Sequence, residues 1–340
     1  MRPLGIPPFD DRLVQEVVRT ILQVIYEPLF SQRSHGFRPG RGCHTALRQI
    51  RVGSHGFTWA IEGDIQGFFD SMDHSVLIKL LARKIKDVKF ISLINSLIKS
   101  NIREEGKKDT ISRIGSPQGS ILSPLLSNIL LHELDMFMEK YISSFSKGRT
   151  RRANPEYSKA HYRQGAKAAR KIGQADPLDP NFRRMNYVRY ADDFVITIIG
   201  SKFEAEKIKS ECTEFLQELK LTLNQEKTLI TNPKDKPVKF LGYLIQKASP
   251  KVNVYSRKYA GRLRRVKRQT SGTVYLKVDS IKVKKRLAEK GFCQGDGNPV
   301  ANFKYLSNTQ YGTIIQVNYV LRGLANYYKL AENSRQMISR

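Results

Sequence analysis

Three aspartates are the residues of this sequence best placed to do chemistry: Asp64, Asp192 and Asp193. Asp64 falls at the end of residues 58–65, whose alternation predicts a strand. Asp192 and Asp193 lie between two short β-like runs, residues 186–190 and 194–199. Only Ala191 shares the gap with them, so the spacing predicts a hairpin with both acids at its tip. Taken alone, an Asp-Asp pair in a turn is ordinary turn chemistry. Here the flanks (Tyr187, Val188 and Tyr190, then Phe194, Val195 and Ile196) are strongly apolar, so the carboxylates must be held at the edge of a buried sheet. Three clustered carboxylates repel one another, and their pKa values rise unless a cation lies among them. Hard oxygen ligands on a rigid sheet suit Mg²⁺. Two such ions, about 3.5–4 Å apart, clamp an in-line phosphoryl transfer.

The elements that must position these acids are also legible. Residues 10–30 predict a helix capped by Asp10 or Asp11, with Leu13, Val17, Ile21, Val24 and Ile25 at helical spacing and Pro28 ending it. Residues 34–42 are a loop by their Gly and Pro content. Helices are expected over 75–86, 89–100, 122–140 and 203–219, a tight turn at 115–119 and a strand at 238–245. Residues 143–186 read as a basic surface insertion, partly helical around 161–172. From about residue 250 the chain reads as basic and helical to Tyr328.

Charge narrows the partner. The 340 residues hold 59 lysines and arginines against 31 aspartates and glutamates, a net charge of +28. Residues 247–290 carry +13 of it and residues 145–175 carry +8. One basic run is ordinarily a solvated helix face. Two runs almost without acids point to phosphate, and so to nucleic acid. Tyr255, Tyr259 and Tyr275 interleave the second run, where they can stack on bases. An anionic membrane surface is the weaker alternative, because no basic amphipathic helix shows a Trp or Phe face, and no membrane partner is expected. No apolar run approaches the ~18 residues of a span, and no signal-peptide pattern opens the chain. Cys43, Cys212 and Cys293 form no C-x-x-C pair, which excludes a zinc ribbon and suits a reducing compartment.

Tyr190-Ala191-Asp192-Asp193 resembles the signature of reverse transcriptases, and the blocks around it resemble those encoded in group II introns, the intron maturases. Arg2-Pro3-Leu4-Gly5-Ile6-Pro7 and the block from Ser34 to Gly42 resemble fingers segments of that family. Asp64-Ile65-Gln66-Gly67-Phe68-Phe69-Asp70 resembles its first catalytic strand, and Gly115-Ser116-Pro117-Gln118-Gly119 its template-positioning turn. Phe240-Leu241-Gly242-Tyr243 resembles the strand before the thumb. Six ordered blocks over nearly the whole chain are specific where four residues are not. The basic insertion after Glu139 resembles the mitochondrial type, which implies an organelle-encoded mitochondrial protein, with a bacterial cytoplasm as the alternative.

The resemblance implies an α+β right-hand polymerase fold. Residues 1–248 would be fingers and palm with an antiparallel sheet, and residues 249–340 a helical thumb or maturase domain that binds intron RNA. It implies that Asp64 and Asp192 ligate two Mg²⁺ ions, with the Ile65 carbonyl on one and Asp193 completing the cluster. It places Phe69 as a gate against the 2′-hydroxyl, Pro117 and Gln118 beside the nucleotide base, and Arg2 and Arg41 near the triphosphate. Arg262, Arg264, Arg265, Lys267 and Arg268 become candidate RNA contacts. The implied partners are intron RNA, an RNA template with a DNA primer, and deoxynucleoside triphosphates. In the family a further fingers segment precedes the Arg2 block, and an endonuclease often follows the thumb. Met1 precedes that block directly and no Cys/His cluster follows the thumb, so the expectation is a fragment without target-DNA cleavage. The competing expectation is a non-enzymatic splicing maturase that keeps the fold for RNA binding.

Overall fold

The computed structural model describes residues 7–99, 115, 119–172, 174–176, 179–248, 252–259, 262–269 and 272–338. The chain forms two compact units, Met1–Thr231 and Asn232–Arg340.

In the first unit, α1 (Phe9–Tyr26) and α2 (Cys43–Gly53) precede β1 (Trp59–Asp64), and α3 (Phe68–Ser71), α4 (His74–Lys84) and α5 (Val88–Ile98) follow it. The long α6 (Ser123–Phe145) leads to α7 (Pro155–Gln164) and α8 (Ala166–Ile172) in the basic insertion. Then come β2 (Arg184–Tyr190), β3 (Asp193–Ile199), α9 (Lys202–Glu218) and β4 (Leu229–Thr231). The four strands form one sheet in the order β2-β3-β1-β4, antiparallel at every junction.

Both faces of this sheet are covered: β3 reads as a nearly continuous apolar run from Phe194 to Ile199, and β2 is buried from Met185 to Arg189 although Asn186 and Arg189 are polar. Tyr187, Phe194, Ile196 and Ile198 join a core with α6 (Leu126, Ile129, Leu130, Leu134, Met138) and α9 (Ala205, Ile208, Cys212, Leu216). Each of the Leu, Ile, Met and Phe side chains among them contributes roughly 1.5–3 kcal/mol on burial. α6 is apolar almost all round and accordingly has eleven buried residues, among them the polar Asn128 and Asp135. Pro124 sits in its first turn, where a missing N–H costs nothing. Asp73 and Asp87 cap α4 and α5, and Ser201 with Glu204 forms a capping box on α9.

α1 buries a different stripe from the one its periodicity predicts. Gln15, Val18, Leu22 and Tyr26 face the core. Leu13, Val17, Ile21, Val24 and Ile25 are 37–73% exposed. The helix carries apolar residues on more than one face, so spacing alone does not select the buried one.

The second unit holds a sheet of β5 (Val238–Phe240), β6 (Tyr243–Lys247) and β9 (Val274–Val278), in the order β5-β6-β9. What reads as one strand over 238–245 is a hairpin: Phe240 pairs with Tyr243 across Leu241 and Gly242. Both tip residues have positive φ, 48° and 72°, the requirement of a tight two-residue turn. The basic run expected to be helical is also a hairpin, β7 (Val252–Tyr259) paired with β8 (Arg262–Gln269). Lys and Arg are good helix formers in isolation, but cross-strand pairing overrides so weak a preference. Among the described residues the α-helices that follow are α10 (Ser280–Glu289), α11 (Gln310–Tyr327) and α12 (Ser334–Ile338). The sequence-based boundary after residue 248 falls inside this unit, because β6 pairs with β9 through Lys247 and Val274. Among the described residues no helix is long and apolar enough to cross a membrane.

Candidate active site

β1 and β3 bring the acids together. Their antiparallel register runs from Trp59 opposite Ile198 to Asp64 opposite Asp193, so the first acid and the third are direct cross-strand partners. The β2–β3 turn is tighter than the sequence predicts. Tyr190 pairs with Asp193, which leaves Ala191 and Asp192 alone at the tip. Ala191 takes a left-handed φ of 55°, uncommon for a residue with a Cβ and a mark of strain held by its surroundings.

Electrostatics mark the cluster. Burial, the charges of Asp192 and Asp64, and a hydrogen bond with Asp64 push the Asp193 carboxyl up to about 7. Lys227 works in the opposite direction on Asp193 and ion-pairs with Asp64, Nζ to Oδ2 at 2.9 Å. Ile65 follows directly after β1 and faces Leu223 in an isolated bridge. The bonds of that bridge use the Asp64 carbonyl and the Gln66 N–H, so the Ile65 carbonyl points to the β3 side.

The acidic cluster fits a divalent cation by its chemistry: hard oxygens and one proton held abnormally tightly. Among the described residues no three His, Cys, Asp or Glu side chains converge into a ready-made cage. Mg²⁺ does not need one, because it keeps waters and takes one or two carboxylates plus substrate phosphates.

The other candidates are placed as follows. Phe69 in α3 packs edge-on against Phe68, centroids 5.5 Å apart, and against Phe37, 6.5 Å apart. Arg41 donates from Nη1 to the Gln32 carbonyl at 2.9 Å and the Ser34 carbonyl at 3.3 Å, so it braces the 31–42 loop. Arg38 braces the same loop through the Ser31 and Ser34 carbonyls and pairs with Glu27. Arg2, Pro117 and Gln118 lie outside the described residues, although Gly115 before that turn is fixed by its N–H on the Met72 carbonyl, 2.8 Å. Arg262, Arg264, Arg265, Lys267 and Arg268 all fall on β8.

Sequence reasoning missed several groups. Lys227 sits in a polar, aperiodic stretch and gives no local signal. Arg189 does give one: a charged residue inside Tyr187-Val188-Arg189-Tyr190 requires a buried counter-charge, which Asp135 supplies at 2.6 Å. The second unit also contains a cleft of about 590 Å³, whose lining includes Lys282 and Arg286 of α10, Lys290 just after it, and Tyr319, Tyr327 and Tyr328.

An antiparallel sheet with acids at the end of its central strands and helices against both faces has the architecture of a polymerase palm. A sequence profile described as "Reverse transcriptase (RNA-dependent DNA polymerase)" matches residues 1–245, and one described as "Type II intron maturase" matches residues 271–340. The chain belongs to the reverse transcriptase family. The group II intron-encoded protein LtrA of Lactococcus lactis subsp. cremoris is 39% identical over 99% of this chain and 59% of its own length. The uncharacterized mitochondrial protein ymf11 of Marchantia polymorpha is 37% identical over 97% of this chain and 51% of its own. The mitochondrial nuclear intron maturase 2 of Arabidopsis thaliana is 30% identical over 98% and 50%. The chain therefore spans half to three-fifths of these relatives. A telomerase from Candida albicans, solved with a fragment of telomeric RNA, shares the fold with a TM-score of 0.50 at 10% identity, over 97% of this chain and 46% of that one.

Proposed function

We propose that this chain is the RNA-directed DNA polymerase of a group II intron, and that it also binds the intron RNA and assists its splicing and mobility. The observation that carries the polymerase reading is the Asp64–Asp193 pair, with Asp192 beside it and the Asp193 carboxyl pushed up to about 7. Asp64, Asp192 and Asp193, with the Ile65 carbonyl, would hold two Mg²⁺ ions. Such ions, when bound, lower the pKa of a primer 3′-hydroxyl and stabilise the leaving pyrophosphate. The chain's own groups do the rest. Lys227 offsets part of the acidic charge at Asp64. Phe69, fixed by two aromatic neighbours, closes the space a ribose 2′-hydroxyl needs. Pro117 and Gln118 flank the incoming base, and Arg2 and Arg41 lend positive charge near its triphosphate.

In this reading residues 1–248 act as fingers and palm and residues 249–340 as thumb. The β8 residues Arg262, Arg264, Arg265, Lys267 and Arg268 contact intron RNA. The α10–α11 cleft has three cations and three tyrosines in its lining, a combination suited to phosphates and stacked bases. The relatives are mitochondrial and bacterial proteins, and the basic insertion supports the mitochondrion for this one.

The test is extension of oligo(dT) on poly(rA) with Mg²⁺. The unmodified chain should extend and Asp192→Asn should not, because the amide keeps the size and loses the charge. Full extension by the variant would remove the metal assignment. The maturase match over residues 271–340 favours a second reading, splicing assistance without polymerisation, which requires RNA binding to persist where extension is absent.

A further inference from the structure

The strained turn that carries Asp192 is fixed from behind by one buried side chain. Arg189 is fully buried, and each of its five guanidinium hydrogens has an acceptor. Nε and Nη2 grip both oxygens of Asp135 at 2.8 and 2.6 Å. Nη2 also reaches Ser34 Oγ at 2.8 Å. Nη1 donates to Asn128 Oδ1 at 3.1 Å and to the Ala191 carbonyl at 2.9 Å. That last bond lands on the residue whose φ is strained and whose carbonyl precedes Asp192.

The Arg189 backbone is equally committed. Its N–H donates to the Arg33 carbonyl, and its own carbonyl accepts from the His35 N–H, both at 2.9 Å. Asn128 in turn donates to the Gly36 carbonyl at 2.9 Å. Gly36 lies so close to the turn that a Cβ there would stand 2.3 Å from the Ala191 nitrogen. One guanidinium therefore joins three elements: α6, the 31–36 loop and the tip of the β2–β3 hairpin.

We propose that Arg189 is the positioning residue of the acidic turn: by holding the Ala191 carbonyl against α6 and the 31–36 loop, it sets where the Asp192 and Asp193 carboxylates stand. This rests on the reading of those acids as the polymerase site. Arg189 itself touches neither substrate nor ion. A buried ion pair is not needed for stability as such, since a well-packed apolar replacement is often as stable. What the apolar replacement cannot supply is a donor to Ala191.

Two variants separate positioning from mere packing. Arg189→Lys keeps a charge for Asp135 but loses the planar fork that reaches four partners at once. The triple variant Tyr187→Phe/Asp135→Leu/Arg189→Met removes the cluster together with the Tyr187 hydroxyl, which donates to Asp135, so no buried charge is left alone. The primary readout is amide hydrogen exchange over residues 190–194, which needs neither ion nor polymerisation and so stands even if the polymerase reading fails. Exchange there should accelerate tenfold or more in both variants, while β1 and α9 exchange as in the unmodified chain. The Mg²⁺ concentration for half-maximal extension should rise about tenfold, with activity partly recovered at high Mg²⁺. A folded triple variant with unchanged exchange at 190–194 would overturn the proposal, as would a rise spread evenly over β1, α9 and the turn.

Discussion

Asp64 and Asp193 stand directly opposite one another at the last rung between β1 and β3, acid against acid. Like charges in that position destabilise a strand pair, and here the cost is met by a proton that Asp193 holds up to a pH of about 7. In an unfolded chain the same carboxyl releases that proton near its ordinary value of 3.8. Between these two values the folded state binds more protons than the unfolded one, so this group's contribution to stability falls as pH rises. Asp193→Asn removes the titration. Without divalent ions, the melting temperature of the variant relative to the unmodified chain should climb by about 2–4 °C between pH 5 and pH 8. Mg²⁺ should stabilise the unmodified chain at pH 8, do so less at pH 5, and do little for the variant. A melting difference flat with pH would mean that Asp193 ionises normally.

Phe69 should discriminate sugars. Its ring is held edge-on by Phe37 and Phe68, so it has little freedom to swing aside for a 2′-hydroxyl. Phe69→Val should raise incorporation of ribonucleotides relative to deoxyribonucleotides by roughly ten- to a hundredfold, the range in which steric pockets discriminate. The ratio of kcat/KM values for the two nucleotides is the measurement. An unchanged ratio would make Phe69 a core residue and nothing more.

The acids are legible in the sequence because their flanks are. Phe194-Val195-Ile196 can only be buried, and a buried strand fixes where its end lies. The arrangement behind them is only half legible, because the Arg189 charge calls for a buried acid without saying which. Arg189 and Asp135 lie 54 positions apart, and nothing local to either says that the two meet. The basic hairpin is hidden for a different reason. Val252, Val254 and Tyr255 favour a strand, but the density of Lys and Arg over the same stretch reads equally well as a solvated helix. Phe240-Leu241-Gly242-Tyr243 is recognisable as a block, yet its turn geometry depends on two positive φ values that only Gly242 announces.

The α10–α11 cleft gives a separate handle on RNA. Lys282, Arg286 and Lys290 recur every four residues, so they rise along one face of the helix by about 6 Å each. Replacing all three with Gln should weaken RNA binding without base preference. It should also flatten the log–log salt dependence by about 0.7–0.9 for each phosphate no longer neutralised. Tyr319→Ala should weaken binding while leaving the salt slope unaltered, because stacking releases no counterions. Filter binding across a salt series reads both. A slope unmoved by the triple replacement would place the cleft away from RNA.

The final prediction sets polymerase against splicing factor. Asp64→Ala with Asp192→Ala removes two carboxylates from the palm sheet and none of the +13 charge of residues 247–290 or the +8 of residues 145–175. RNA affinity that depends on phosphate neutralisation should fall little, and loss of two acids from a chain of net charge +28 favours binding slightly if it acts at all. The double variant should therefore make no cDNA, bind intron RNA within about twofold of the unmodified chain, and promote splicing at low Mg²⁺ as before. Arg262, Arg264, Arg265, Lys267 and Arg268, changed together to Ser, should do the converse at the RNA step: splicing and intron binding fall together. Primer extension, filter binding and splicing assays run side by side on both variants decide the matter. Splicing abolished in a folded Asp64/Asp192 double variant would mean that the palm acids take part in folding the RNA, and the division of labour between the two units would be wrong. Splicing and binding by an unmodified chain that never extends a primer would instead select the maturase reading over the polymerase one.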